Sequence, residues 1–114
     1  MLTAILAHDH GGVLSAYAAK FTACLLAKCH VVIAGLCASA CTLALGLPPD
    51  QVCATPEAVL AFHEASAPSG TELLFAVYPP ALQARLGPLG AQVVTIRAPE
   101  IWQFVKECGA WPIS

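Results

Sequence analysis

Charge is scarce in this sequence. Five Lys plus Arg and seven Asp plus Glu are spread over 114 residues, giving a formal net charge of -2. No cluster of basic side chains is left to follow a phosphate backbone, which excludes nucleic-acid binding of the ordinary electrostatic kind. Internal repeats and low-complexity tracts are lacking too. The easily recognised cofactor motifs are also missing. There is no glycine-rich dinucleotide or phosphate loop and no H-E-x-x-H helix, so neither a nucleotide cofactor nor a metal is expected. What the chain has instead is apolar surface, with 58% hydrophobic residues. Such a composition is opposite to that of a disordered chain and suits one compact domain spanning residues 1–114. An excess of this kind also predicts that part of the surface is covered by another subunit, as in a homo-oligomer.

A long uncharged stretch, residues 29–49, invites a membrane reading, because a helix needs about 20 apolar residues to span a bilayer. His30, Ser39, Thr42, Gly35, Gly46 and the pair Pro48-Pro49 interrupt it. Strand, turn and helix therefore fit better than a span, and no integral membrane segment is expected. The opening MLTAILAHDHGG lacks the basic start and cleavage pattern of a secretory signal. A cytoplasmic location follows if the sequence is complete, and an exported or periplasmic one if a signal precedes it. Six cysteines, at positions 24, 29, 37, 41, 53 and 108, allow many pairings. Their apolar settings favour buried thiols for most of them. Helical spacing leaves a Cys37–Cys41 bridge open.

Periodicity organises the chain. Leu2 to Ala7 reads as a strand ending in the polar turn His8-Asp9-His10-Gly11-Gly12. Leu14, Tyr17, Ala18, Phe21, Cys24 and Leu25 then recur at helical spacing, and Val31 to Ala34 has the unbroken apolar character of a buried strand. This strand-helix-strand unit predicts an α/β fold with a mostly parallel sheet and flanking helices. Further on, Ser39 to Leu45 reads as a helix, Gln51 to Ala54 and Val59 to Phe62 as strands, and residues 65–70 as a loop. Thr71 to Val77 and Ala81 to Leu86 read as helices separated by Pro79 and Pro80, and Ala91 to Ile96 as a strand. Pro99 opens a final helix over Glu100 to Cys108.

Three places could carry chemistry. Ser39 stands where a strand meets a helix, able to present its oxygen at a sheet end or simply to cap the helix. Its surroundings, Gly35-Leu36-Cys37-Ala38-Ser39-Ala40-Cys41, are not the G-x-S-x-G elbow. His63 follows the apolar run Val59 to Phe62 and could serve as a general base, or bond to the sheet end. Gly11-Gly12 permits close backbone approach, so that amides of Gly12 or Val13 with that of Ala40 could hold an oxyanion. The same glycines also make an ordinary turn. His8, Asp9 and His10 have the right chemistry for a metal, but strand alternation points Asp9 away from the two imidazoles. Trp102 and Trp111 read as packing for the terminal segment.

Taken together, HDHGGVLSAYAAKF and GLCASACTLALGLPPDQVCATPEAVLAFHEA resemble the Clp-protease-like serine peptidase group of the ClpP/crotonase fold, mainly over residues 4–65. The resemblance implies that Ser39 is the nucleophile, His63 the base and Gly11-Gly12 the glycine-pair turn. It also implies that the family's usual first strand and helix are lacking, and His10 stands where the family has serine or proline. The activity so implied is cleavage of a peptide or protein substrate through an acyl-enzyme, without a cofactor. No acidic partner is assigned: Asp50, Glu64, Glu100 and Glu107 are the candidates. Two other functions fit the same fold, a non-catalytic interaction or assembly domain and a crotonase-like acyl-CoA enzyme.

Overall fold

Local chemistry builds the first unit of the computed structural model, which describes residues 2–109. Strand β1 (Thr3–Asp9) leads through the glycine turn into helix α1 (Leu14–Ala27), which returns the chain to β2 (His30–Ala38). Helix α1 ends at Lys28, whose backbone is left-handed and whose N–H returns to the carbonyls of Cys24 and Leu25. That closure satisfies carbonyls otherwise orphaned at a helix end. Strands β1 and β2 run parallel, with Ala4 opposite Val31 and Leu6 opposite Ile33, as a strand-helix-strand crossover requires. The register slips between Leu6 and His8, where Gly35 of β2 lies against Ala7. A Cβ on Gly35 would collide with the Ala7 carbonyl, so the irregularity needs glycine.

The other side of β2 is shared by two strands. Its first half pairs in parallel with β3 (Val52–Ala54) and its second half with β4 (Val59–Phe62). Strand β5 (Val94–Arg97) lies antiparallel to β4, and the short β6 (Lys106–Glu107) lies parallel to β3. The result is a small α/β domain with a mostly parallel six-stranded sheet flanked by helices. Helices α2 (Pro68–Val77) and α3 (Pro80–Leu86) are separated at Tyr78 and Pro79, since proline interrupts the hydrogen-bond ladder of a helix but is accepted at its first turn.

Alternate residues of β2 serve opposite faces. Val31 and Ile33 join the large core with Leu60, Phe62, Leu74, Leu82, Ile96 and Ile101, whereas Val32 packs on the other face with Cys53 and Cys108. Burying each large aliphatic or aromatic side chain of this core stabilises the fold by about 1.5–3 kcal/mol.

Three sequence expectations are corrected. The helix read over Glu100 to Cys108 is a 3-10 turn, Glu100–Gln103, followed by β6. Its end is held extended because the Cys108 N–H donates to the Ala54 carbonyl and its sulfur joins Cys53. The loop read over residues 65–70 already contains the start of α2 at Pro68. Most important, the cysteines are not free thiols: Cys24–Cys29, Cys37–Cys41 and Cys53–Cys108 are disulfides. Disulfides persist in oxidising compartments, so the fold belongs to an exported or periplasmic setting. Trp111 lies outside the described residues. Among those described, no helix is long and apolar enough to cross a membrane.

Candidate functional site

Parallel pairing brings three chain turns to one end of the sheet. Asp9 of β1 is in register with Cys37 of β2, and Ala38 of β2 with Ala61 of β4. The segments that follow, Gly11-Gly12, Ser39 and His63, therefore leave the carboxyl ends of three neighbouring strands, where open α/β sheets commonly bind ligands.

The first turn is locked by Asp9. Its Oδ1 accepts the Gly11 N–H at 2.9 Å and the Tyr17 hydroxyl at 2.6 Å. The hydrogen bond to Asp9 is the main cause that pushes the Tyr17 phenol up to about 12. Gly11 has a φ of 86°, and a Cβ there would stand 2.7 Å from the Ala38 carbonyl oxygen and 2.8 Å from the Ser39 Cβ. Gly11 thus presses directly on the Ser39 turn, a contact that only glycine permits.

Ser39 itself has a φ of 55°, in a region that non-glycine residues enter at a cost. Two features hold it there. The Cys37–Cys41 disulfide closes over the turn, and the Thr42 hydroxyl donates to the Ser39 carbonyl at 2.5 Å. Because that bond uses Thr42's one proton, Tyr78 must donate its own hydroxyl to Thr42 Oγ1 in their 2.7 Å contact. Burial is the main cause that pushes the Tyr78 phenol up to about 12.

His63 is placed at the same end but turned to another partner. Its Nδ1–H donates to the adjacent Glu64 carbonyl at 2.6 Å, in an exposed setting. Among the described residues no hydrogen bond joins His63 to Ser39, and no carboxylate orients the imidazole. Asp9, at the end of β1, is already committed to Gly11 and Tyr17. Of the acidic candidates, Glu64 meets His63 only through its backbone carbonyl, Glu100 pairs with Arg85, Glu107 lies in β6, and Asp50 lies in the 3-10 turn Pro49–Gln51. A serine relay needs its base within reach of the hydroxyl proton and an orienting group behind the base. The expected Ser39–His63 serine peptidase is therefore corrected.

The residues expected to supply oxyanion-hole amides fall at the starts of two helices and in the turn between β1 and α1. Val13 caps α1 and its carbonyl accepts from the amides of Ala16 and Tyr17, while Ala40 is buried within the 3-10 helix Ser39–Gly46. Gly12 remains in the turn between β1 and α1. Trp102 packs inward and donates its indole N–H to the Ala54 carbonyl. The sequence reading missed the Asp9–Tyr17 and Thr42–Tyr78 contacts. Asp9 two positions before Gly11 signalled only the neighbouring Asp9–Gly11 bond, since aspartate often bonds a backbone N–H two residues on. Fold and site together define a disulfide-braced α/β domain of an oxidising compartment. No known family model matches the sequence, and no significant match to a curated protein is found.

Proposed function

We propose that this chain is a non-catalytic interaction or assembly domain built on a ClpP/crotonase-like plan. Support for the plan comes from the order of its parts: a glycine-pair turn after the first strand, a strained serine after the second, and a histidine after a strand paired beside it. Support for the role comes from one observation. Strand β1 pairs only with β2 among the described residues, and its other edge is unpaired.

Natural edge strands are usually blunted by lysine, proline or a short length. Leu2 to Ala7 contains no charged residue and no proline, and Leu2 and Ile5 are 72% and 57% exposed. An edge of this composition is a template for another strand.

A fluorophosphonate probe applied to the oxidised, folded chain tests the non-catalytic assignment. No adduct at Ser39 is expected. Labelling that disappears in Ser39→Ala and falls in His63→Ala would overturn the proposal.

A further inference from the structure

The free edge of β1 is also one wall of a trough. Residues 5–11 form that wall, Tyr17 and Lys20 of α1 form the other, and the space between them is about 490 Å³. Deepening the interaction-domain reading, on which it rests, we propose that this trough binds an extended polypeptide segment bearing a carboxylate, added to the sheet as a strand beside β1.

Backbone direction supplies the first argument. The Leu2 carbonyl accepts the His30 N–H, so the even-numbered residues at the start of β1 turn their polar groups toward β2. By alternation, the N–H and C=O of Thr3 and Ile5 face the open edge. These groups are what an incoming strand would pair with.

Charge supplies the second argument. The Lys20 ammonium lies 5.6 Å from the ring centroids of both Tyr17 and Phe21, and among the described residues it forms no salt bridge. The trough's own carboxylate, Asp9, is occupied by two donors. His8 and His10 line the same space, adding groups able to donate to an acid. An ammonium with no salt-bridge partner among the described residues, lining the same space as Ile5 of the open edge, selects an extended segment with an acidic side chain. A second copy offers no such match, since its own β1 has no acid before Asp9.

The test titrates the full oxidised chain with an end-capped hexapeptide of alternating threonine and valine carrying one central glutamate, and with its glutamine counterpart, followed by amide NMR. Shifts centred on Thr3 and Ile5 are expected, with the glutamate peptide bound up to about fivefold more tightly, the scale of an exposed ion pair. Lys20→Gln should erase that preference. Ile5→Pro removes an outward N–H without taking a bond from the β1–β2 ladder and should weaken both peptides by about tenfold or more, whereas Ile5→Thr should not.

Absence of binding at millimolar peptide overturns the proposal. So do shifts confined to another surface, equal affinity for the two peptides, or self-association that Ile5→Pro abolishes, which would assign the edge to a second copy. Cleavage of the peptide is a separate outcome: it overturns the non-catalytic reading whatever the site of binding. Should Ile5→Pro fail to fold, the loss of glutamate preference in Lys20→Gln decides the matter alone.

Discussion

The Tyr17 hydroxyl donates to Asp9 Oδ1 at 2.6 Å, tying the first turns of α1 to the end of β1. The same oxygen holds the Gly11 N–H, so one carboxylate fixes both the helix and the turn that presses on Ser39. Hydrogen bonds to a charged group contribute about 1.5–3 kcal/mol. Tyr17→Phe is expected to lower stability by about 1.5 kcal/mol, the lower end of that range for a partly exposed pair. Chemical denaturation checks this through a lower midpoint at unchanged slope.

Both tyrosines of the chain have phenols raised to about 12. An unfolded tyrosine ionises near 10, so the folded state holds these protons more tightly. The associated stability is complete below about pH 10 and is lost as pH rises toward 12. Ultraviolet titration should show tyrosinate emerging late, and in Asp9→Ala one of the two phenols should return toward 10. Ionisation of both near 10 in the folded wild type would contradict the Asp9–Tyr17 hydrogen bond and the burial of Tyr78.

Gly11→Ala places a methyl group against the Ala38 carbonyl and the Ser39 Cβ, at a φ of 86°. The left-handed backbone alone costs about 1–2 kcal/mol, and the collision adds to it. A loss of at least about 2 kcal/mol is expected. Thermal melting of the variant reads it directly, and an unchanged midpoint would refute the close approach.

Removing the Thr42 hydroxyl leaves the buried Tyr78 O–H without its acceptor and frees the Ser39 carbonyl. A buried polar group left unpaired costs about 1–3 kcal/mol. Thr42→Val should therefore destabilise the fold although it keeps the side chain's shape. In the double variant with Tyr78→Phe, which removes both partners, part of the loss should be recovered.

Loop length ranks the disulfides. Cys53–Cys108 spans 55 residues, whereas Cys24–Cys29 and Cys37–Cys41 span 5 and 4. On the chain-entropy account the long bridge contributes about 4 kcal/mol and each short one about 2. Paired Cys→Ser variants, compared by denaturation, should show the largest drop for Cys53 with Cys108. Release of β6 should accompany it, because its pairing with β3 lies beside that bridge.

Local pattern made much of the first unit readable. The stripe from Leu14 to Cys24 does face the core, although Leu25, at the end of the same stripe, is 44% exposed. The terminal segment was misread because Ile101, Phe104, Val105 and Cys108 fit a helical period, while a distant cysteine and a neighbouring strand determine its shape. At the candidate site, chain order predicts that Ser39 and His63 leave neighbouring strand ends. It says nothing of the rotation that gives His63 to the Glu64 carbonyl, since a side chain's partner depends on atoms brought together only by folding.

By itself, then, the sequence determined the α/β class and the strand-helix-strand course as far as Ala34, whereas β2 continues through Gly35 to Ala38 in the fold. Those features follow from hydrophobic period and the Gly11-Gly12 turn, interactions between near neighbours. Only the tertiary structure decided the pairing of the six cysteines, the commitment of Asp9 to Tyr17, and the open edge of β1. The Cys53–Cys108 bridge and the open edge depend on which distant segments pack together, and the short Cys24–Cys29 and Cys37–Cys41 bridges and the Asp9–Tyr17 bond on side-chain geometry that spacing alone does not fix.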